Sequence, residues 1–248
     1  GRTLCPSCTG RRTADAAKHL LEEVIPEVPV RQWVLSMPYA YRFLLATRPE
    51  FLRSALAIFH RTINRHYLKK GKLLNLINPK VGAITVVQRF GGALNLNVHF
   101  HTLYMDGVFH QNYLGEEVFH EFIPTHEEIV KLTSLLKKRL SKMLTKIESI
   151  NTEDFSINQM LAESVQNRDE KNQMPRALGK DCDPPFIEFK GIRCCYDDGF
   201  SLHANVKILA HQRDGLERLC RYVLRGPVAK DRISYINGRV LLKLKTPY

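Results

Sequence analysis

The amino-acid sequence predicts an α+β fold in which a mainly antiparallel sheet is flanked by helices. Two runs rich in β-branched residues, at 82–90 and 96–104, follow one another with a short glycine-containing connection between them. Helical spacing of apolar residues marks separate segments at 14–24 and 49–68, and a third from Thr125 onwards. Strands that are adjacent in sequence and mixed with helices are typical of antiparallel pairing rather than of repeated βαβ units.

Shorter signals predict the remaining elements. Strands are predicted at 31–36 and 200–209, and the pair Asp106-Gly107 is typical of a turn that leads into a further strand. A helix with a capping pattern is predicted from Asp214 to Arg225. The polar segment 151–185 has no clear period, and we expect it to be mostly a loop or an insertion.

The composition indicates a globular protein with a polyanionic partner. The chain has 248 residues, of which 44% are hydrophobic, and this is enough for one large domain or one domain with an appendage. The sequence has neither an apolar run long enough to span a membrane nor an apolar signal segment at its N-terminus. The formal net charge of +12 favours DNA as the partner, because neither terminus carries the basic amphipathic helix that would favour a membrane surface.

The cysteines favour a reducing compartment and one partial metal site. Six cysteines are too few for a disulfide scaffold in a chain of this length, so we expect a cytoplasmic protein. Cys5 and Cys8 have the spacing of half a zinc site, and a structural zinc needs four ligands. The other cysteines lack this spacing, so we expect the partner pair to lie upstream of Gly1. Two ordinary thiols are an equally good interpretation.

The pair His99 and His101 predicts a metal platform. Residues two apart on a strand point the same way, so Asn97, His99 and His101 share one face, while their even-numbered neighbours point into the core. Two imidazoles side by side on a rigid strand can bind one metal ion. The alternative is a pair of strand histidines that make ordinary hydrogen bonds.

The third metal ligand remains open. Gln88, near the end of the preceding strand, supplies a carbonyl oxygen, and His203 on a later strand is the rival candidate. Asn97 and His110 are less favoured.

Tyr222 is the candidate nucleophile. On the predicted helix it lies between an apolar stripe and a group of cations, the latter formed by Arg218, Arg221 and Arg225. Guanidinium groups bind phosphate and favour a phenolate, which suits a tyrosine that attacks a phosphodiester. The alternative is a tyrosine that packs its ring at a helix edge, with the arginines in solvent.

Several segments of the chain resemble one known family. The run Gly82–Phe109 (GAITVVQRFGGALNLNVHFHTLYMDGVF) is similar to rolling-circle insertion-sequence transposases of the HUH (His-hydrophobe-His) nuclease type. So are 30–38 (VRQWVLSMP), 199–204 (GFSLHA) and 216–227 (LERLCRYVLRGP). The opening cysteines resemble the zinc-binding segment that precedes the nuclease in this family, and ISCR elements and Helitrons share its chemistry. The segment 112–197 matches least, so we expect a variable insertion there.

This resemblance implies a fold, a cofactor and roles for individual residues. It implies an HUH-like sheet, in a catalytic domain at 28–248 preceded by a zinc-segment remnant and linker helix at 1–27. It implies that His99 and His101 bind magnesium or manganese and that Tyr222 cleaves single-stranded DNA at the ends of a mobile element. It also implies a bacterial, nucleoid-associated location.

The sequence departs from the family's pattern in three ways. Many relatives carry a second tyrosine four residues from the first, but Arg218 and Gly226 occupy those positions here, so a cycle with one tyrosine is implied. Gly226 also replaces a proline expected before Pro227. The partial zinc segment and the early stop at Tyr248 predict a fragment, or a decayed copy, of a longer transposase.

Other functions remain open at this stage. A replication initiator would use the same chemistry in another DNA context. A non-catalytic zinc-containing basic protein would bind DNA without forming a covalent adduct. A zinc hydrolase would need a carboxylate base near His99 and His101, for which Glu188 and Asp106 are the candidates.

Overall fold

The structure is a computed structural model that describes residues 5–91, 94–148, 192–228 and 232–243, with side chains in the second range described as far as residue 145. The helices of these residues are α1 (Pro6–His19), which continues into a π-helical turn (Leu20–Val24), α2 (Tyr39–Thr47), α3 (Pro49–Leu73), α4 (His126–Glu148) and α5 (Arg213–Leu224). The strands are β1 (Val30–Ser36), β2 (Ile77–Lys80), β3 (Ala83–Phe90), β4 (Leu96–Met105), β5 (Gly107–Gln111), β6 (Glu117–Glu121), β7 (Cys194–Asp197), β8 (Phe200–His203), β9 (Lys207–Ile208), β10 (Ile233–Ile236) and β11 (Arg239–Leu242).

The main sheet is antiparallel and holds the histidine strand in its interior. Its strand order is β3-β4-β1-β8-β7, and β9 pairs with β1 beyond the end of β8. The predicted hairpin of β3 and β4 is present, and β1 lies on the other side of β4. Helices flank this sheet, so the predicted α+β class with an antiparallel sheet is confirmed.

The two faces of the sheet are covered by different helices. Even-numbered residues of β4, among them Val98 and Phe100, join a core with α2, α3 and α4. Odd-numbered residues further along β4, Leu103 and Met105, join a second core with α1 and α5. Because side chains alternate along a strand, His99 and His101 lie on the face that α1 and α5 cover.

A buried ion pair joins β1 to the end of β4. Arg31 binds both carboxylate oxygens of Asp106, at 2.7–2.9 Å, and the two side chains are 1% and 0% exposed. The Tyr67 hydroxyl of α3 donates to the same carboxylate at 2.9 Å, and Arg31 also donates to the Ala204 carbonyl at 2.8 Å. Burial, together with the Asp106 carboxylate, raises the pKa of Tyr67 well above its usual value, which keeps the hydroxyl protonated as a donor.

The structure corrects several predicted boundaries. The first helix begins at Pro6 rather than Ala14, and α3 continues five residues beyond Leu68. The strand expected at 200–209 is split into β8 and β9, because the carbonyl between them at Ala204 binds Arg31 instead of a neighbouring strand. The helix α5 begins one residue before Asp214, so its N-cap residue is Gln212, which makes no side-chain capping hydrogen bond.

The strand predicted after Asp106-Gly107 is present and belongs to a second sheet. It is β5, which pairs with β2 and β6 in a separate three-stranded sheet instead of folding back on β4. The backbone of Asp106 explains the change of direction, because its amide donates to the Pro29 carbonyl and its carbonyl accepts from the Phe122 amide.

Parts of the segment expected to be a variable insertion belong to the main fold. Helix α4 contributes Ile129, Leu136 and Leu140 to the first core, and β7 forms an edge of the main sheet. The predicted cap of α4 is present, because the Glu128 amide donates to the Thr125 hydroxyl and the Thr125 amide donates to the Glu128 carboxylate. The segment 151–185, expected to be a loop, lies outside the described residues.

A hairpin of β10 and β11 was missed in the sequence. Asn237 and Gly238 form its turn, both with positive φ angles, of 51° and 76°. The Asn-Gly pair between two apolar runs is a strong hairpin signal and would have predicted it. No helix among the described residues has the length and hydropathy needed to cross a membrane.

The buried ion pair predicts a large loss of stability when one partner is removed. Asp106→Ala leaves the Arg31 guanidinium buried without its counter-charge, so the free energy of unfolding should fall by about 3–5 kcal/mol. Urea denaturation followed by circular dichroism measures this. The matched control is Lys80→Ala, which breaks the exposed pair with Glu117 and should cost about 1 kcal/mol or less. Equal losses in the two variants would contradict the role given to the buried pair.

Candidate catalytic site

His99 and His101 lie side by side on β4 with their rings in contact. The ring centroids are 4.9 Å apart and the planes meet at 66°. Burial is the main cause that lowers the pKa of both imidazoles, and for His101 burial, the neighbouring His99 and Arg225 lower the pKa to about 3. Both rings are therefore neutral at physiological pH, which is the protonation state that binds a metal ion.

Hydrogen bonds fix how the two imidazoles are oriented. His99 Nδ1 lies 2.7 Å from the Asn97 carbonyl oxygen, so Nδ1 is the donor and Nε2 keeps its lone pair. His101 Nδ1 lies 2.8 Å from the side-chain nitrogen of Gln32 on β1, so in this arrangement the Gln32 amide donates, Nδ1 accepts and His101 Nε2 carries the proton. Turning the Gln32 amide by 180° would present its oxygen, make Nδ1 the donor and leave Nε2 as a ligand. Gln32 was missed in the sequence, because only the pairing of β1 with β4 brings it to this ring.

Gln88 is placed directly beside the histidine pair. It is in register with His99 across β3 and β4, so the two side chains leave the sheet on the same face. Its Nε2 donates to the Val223 carbonyl of α5 at 2.8 Å. This hydrogen bond fixes the orientation of the side-chain amide, and the amide oxygen is the atom left to serve as a ligand. Asn97 Oδ1 is buried without a hydrogen-bond partner in the described residues. The site therefore offers two amide oxygens in addition to two imidazoles.

The rival ligands lie farther from the pair. His203 is in register with Val34, which is itself in register with His101, so two strand spacings, about 10 Å, separate the two histidine backbones. His110 lies on β5 in the three-stranded sheet. No group of three or more His, Cys, Asp or Glu side chains suited to a metal occurs in the described residues, so these residues offer amide oxygens for the third position.

Helix α5 brings Tyr222 to the histidines. Leu216, Leu219 and Val223 of this helix are buried in the second core, as its apolar stripe predicts. Tyr222 is 43% exposed, and its ring meets that of His101 edge to face, with centroids 5.8 Å apart at 85°. The structure thus brings Tyr222 to two histidines that lie more than 120 residues before it in the sequence.

The arginines around Tyr222 are not equivalent. The Arg225 guanidinium lies over the Tyr222 ring, with Cζ 4.2 Å from the centroid, and its charge lowers the pKa of both histidines. Arg218 is exposed, whereas Arg221 binds Glu217 on its own helix at 2.7 Å. Arg42 of α2 also contributes to the lowered pKa of His99, so it lies near the pair, and no sequence pattern marked it.

Helix α1 holds α5 at both ends. At one end, the Arg213 guanidinium donates to carbonyls of the turn after α1, among them those of Ile25 and Pro26. At the other end, the Thr13 hydroxyl donates to the Leu224 carbonyl at 3.2 Å. A Cβ atom added at Gly226 would lie 2.6 Å from the Thr9 methyl group, which gives a reason for glycine at this position.

The cysteine pair lies at the start of α1. Cys5 precedes the helix and Cys8 is in its first turn, and both are exposed free thiols. Hydrogen bonds from the Cys8 backbone and side chain lower the pKa of Cys5. The zinc site remains a prediction, since its other ligands were expected upstream of the chain.

Of the two carboxylates considered for a zinc hydrolase, only Asp106 belongs to the described residues, and it is not free to act at this site. Asp106 is buried in its ion pair with Arg31, so it is not available as a base. Glu188 lies outside the described residues.

One comparison with known proteins identifies the family. A family model described as "Putative transposase" matches residues 82–248, about two thirds of the chain. The chain belongs to this transposase family. The match includes β3, β4 and α5, and so it covers His99, His101 and Tyr222 of the transposase. No curated protein and no solved structure matches the chain.

The contact between α1 and α5 predicts a rescue between two substitutions. Gly226→Ala places a methyl group against Thr9 and should lower the free energy of unfolding of the transposase by about 1–3 kcal/mol. Thr9→Ser removes the methyl that would clash, so Gly226→Ala should cost much less in that background. Thermal denaturation of the four proteins measures the coupling. Additive effects would show that α1 does not pack on the end of α5.

Proposed function

We propose that the chain cuts and rejoins single-stranded DNA at the ends of a mobile element, as an HUH-type transposase. Membership of the transposase family supports a role in DNA transposition and a strand-cutting activity. One observation carries the finer proposal: the Tyr222 ring rests against His101 at 5.8 Å, beside a pair of neutral imidazoles. A tyrosine that served only to pack a helix edge would not need to approach this pair.

The residues present fit a divalent metal. His99 and His101 would hold it with an amide oxygen, for which Gln88 is the first candidate and Asn97 the second. The Asn97 Oδ1 atom is buried and has no hydrogen-bond partner among the described residues, which suits an oxygen that would bind a metal ion. Bound there, magnesium or manganese would act as a Lewis acid on the scissile phosphate. Imidazole favours the softer of these two ions, so manganese is the better probe.

Tyr222 is the nucleophile in this proposal. Its phenolic oxygen attacks the phosphorus, the bond from phosphorus to the 3′ oxygen breaks, and the proton that the phenol loses is balanced by the proton that the departing 3′ oxygen takes up. The products are a 5′-phosphotyrosine and a free 3′-hydroxyl. In the reverse step a 3′-hydroxyl attacks the phosphotyrosine, which restores the phosphodiester and the tyrosine without a nucleotide cofactor.

The cations near Tyr222 stabilise the reacting phosphate. Arg225 already lies over the Tyr222 ring, and Arg218 is exposed on the same helix. Arg221 is the weakest candidate of the three for this role because Glu217 binds it. With arginine at position 218 and glycine at 226, a single tyrosine carries one covalent strand at a time.

Family membership favours transposition over replication initiation as the setting of this chemistry.

A zinc site that includes Cys5 and Cys8, with its other ligands expected upstream, remains part of the proposal. It would be a structural site, separate from the catalytic metal.

The decisive test is a covalent adduct. Wild-type protein, manganese and single-stranded DNA from an element end should give a protein–DNA band on a denaturing gel, and the released strand should be extendable by a polymerase from its 3′-hydroxyl. Tyr222→Phe and the double variant His99→Ala/His101→Ala should abolish the band. Tyr113→Phe is the matched control, because this tyrosine is 99% exposed on the turn between β5 and β6. An adduct that persists in Tyr222→Phe assigns the nucleophile elsewhere, and DNA binding without any adduct supports the non-catalytic alternative.

The third ligand has a test that does not need DNA. Gln88→Leu should weaken Mn²⁺ binding, measured by titration calorimetry, by more than about tenfold, the lower bound for losing even an outer partner of a metal site. Gln88→Glu keeps an oxygen donor and should retain the affinity. His203→Leu should change little, because two strand spacings separate it from His101. A larger loss in His203→Leu than in Gln88→Leu would reverse the assignment.

A further inference from the structure

We propose that the outer surface of α3 and α4 binds double-stranded DNA through its phosphates, independently of base sequence. We call this surface the basic helical layer and define it by six exposed cations: Arg61, Arg65 and Lys69 on α3, and Lys131, Lys138 and Lys142 on α4. The layer covers the face of the sheet opposite the histidines, since α3 and α4 pack on the first core and α5 on the second. The inference does not depend on the catalytic role of Tyr222.

The net charge of the chain is concentrated in this layer. Helix α3 carries six basic residues and one acidic residue, and α4 carries six basic and three acidic residues. The two helices thus hold a net charge of +8 out of the +12 of the whole chain. A polyanion near this surface would meet most of the excess positive charge of the protein.

The defining cations are not neutralised by other described residues. The ion pairs of these helices within the described part of the chain are made by other side chains: Lys70 binds Glu128, and Lys137 binds Asp197 and Asp198. None of the six defining cations forms an ion pair there.

The spacing of the six cations costs the free protein some stability. Arg61 and Arg65, Arg65 and Lys69, and Lys138 and Lys142 are each four residues apart on a helix, so like charges face one another. Like-charged pairs at this spacing destabilise a helix. A surface that served only to keep the protein in solution would not need three such pairs, whereas bound phosphates would relieve the repulsion in all of them.

The two helices present their cations as one surface. The Arg139 guanidinium of α4 donates to the Thr62 hydroxyl of α3 at 2.9 Å, and Lys70 binds Glu128 at 2.8 Å, so the helices are joined at two levels. Packed helices lie about 8–10 Å apart, which gives two rows of cations. Two rows can contact the phosphates of both strands that border a groove, which favours a duplex over a single strand.

An anionic membrane is the other polyanionic partner, and the surface of α3 does not favour it. Helices that bind membranes place large apolar side chains beside their cations. Among the described residues of α3 and α4, the exposed large apolar side chains are Leu73, in the last position of α3, and Leu135, and neither lies within the run of α3 cations from Arg61 to Lys69.

The test compares two double variants that lose the same charge. Arg61→Gln/Arg65→Gln removes two cations of the basic helical layer, and Lys18→Gln/Lys80→Gln removes two exposed cations that are already paired with Glu22 and Glu117. Fluorescence anisotropy with a duplex that lacks the element end gives the Kd at several salt concentrations. The first variant should raise the Kd at about 0.1 M salt by at least about fivefold. It should also reduce the magnitude of the negative slope of log association constant against log salt concentration by about 2. The second should change neither, and circular dichroism should show that both remain folded.

Two results would overturn the proposal. An equal loss of duplex binding in both variants would mean that only net charge matters. If the first variant lost binding to phosphatidylserine-containing vesicles while its duplex binding stayed unchanged, the surface would be assigned to a membrane.

The adduct assay on a short single strand should be unaffected by Arg61→Gln/Arg65→Gln. Failure of that assay in the wild type, with the duplex effect intact, would therefore remove only the proposed function.

Discussion

The pairing of β1 with β4 is the constraint on which the rest of the structure depends. This pairing places Ser36 opposite His99 and Val34 opposite His101, and it brings Gln32 to the second imidazole. A slip of one residue in β4 would turn both histidines towards α3 and α4. The buried pair of Arg31 and Asp106 opposes such a slip, because it ties β1 to the end of β4 and also to Tyr67 of α3.

Helix α5 completes the candidate site by placing Tyr222 beside the histidines of β4. Its buried side chains hold it on the sheet, and Gln88 reaches from β3 to its backbone one residue after Tyr222. Arg213 and Gly226, at its two ends, join it to α1 and the turn that follows. The position of the Tyr222 side chain therefore depends on contacts of α5 with the sheet, with α1 and with the turn that follows α1.

The sheet separates two kinds of surface. One face carries two neutral imidazoles, the amides of Gln32 and Gln88, and the exposed Tyr222, which are the groups of the proposed site. The other carries the basic helical layer, which suits many phosphates at once. A member of a transposase family has a use for both, since cutting a strand and retaining the flanking duplex are different tasks.

The sequence by itself determined the features that depend on local periodicity. The alternation along β4 placed both histidines on one face, the apolar stripe of α5 left Tyr222 at its border, and Thr125 marked the start of α4. Only the tertiary structure decided which distant groups meet. Gln32 and Arg42 carry no local signal, the turn at Asp106 sends β5 into a second sheet, and α1 packs along α5. The physical reason is that a side-chain pattern reports which face an element buries, whereas its partner is chosen by buried polar groups and close packing across the whole chain.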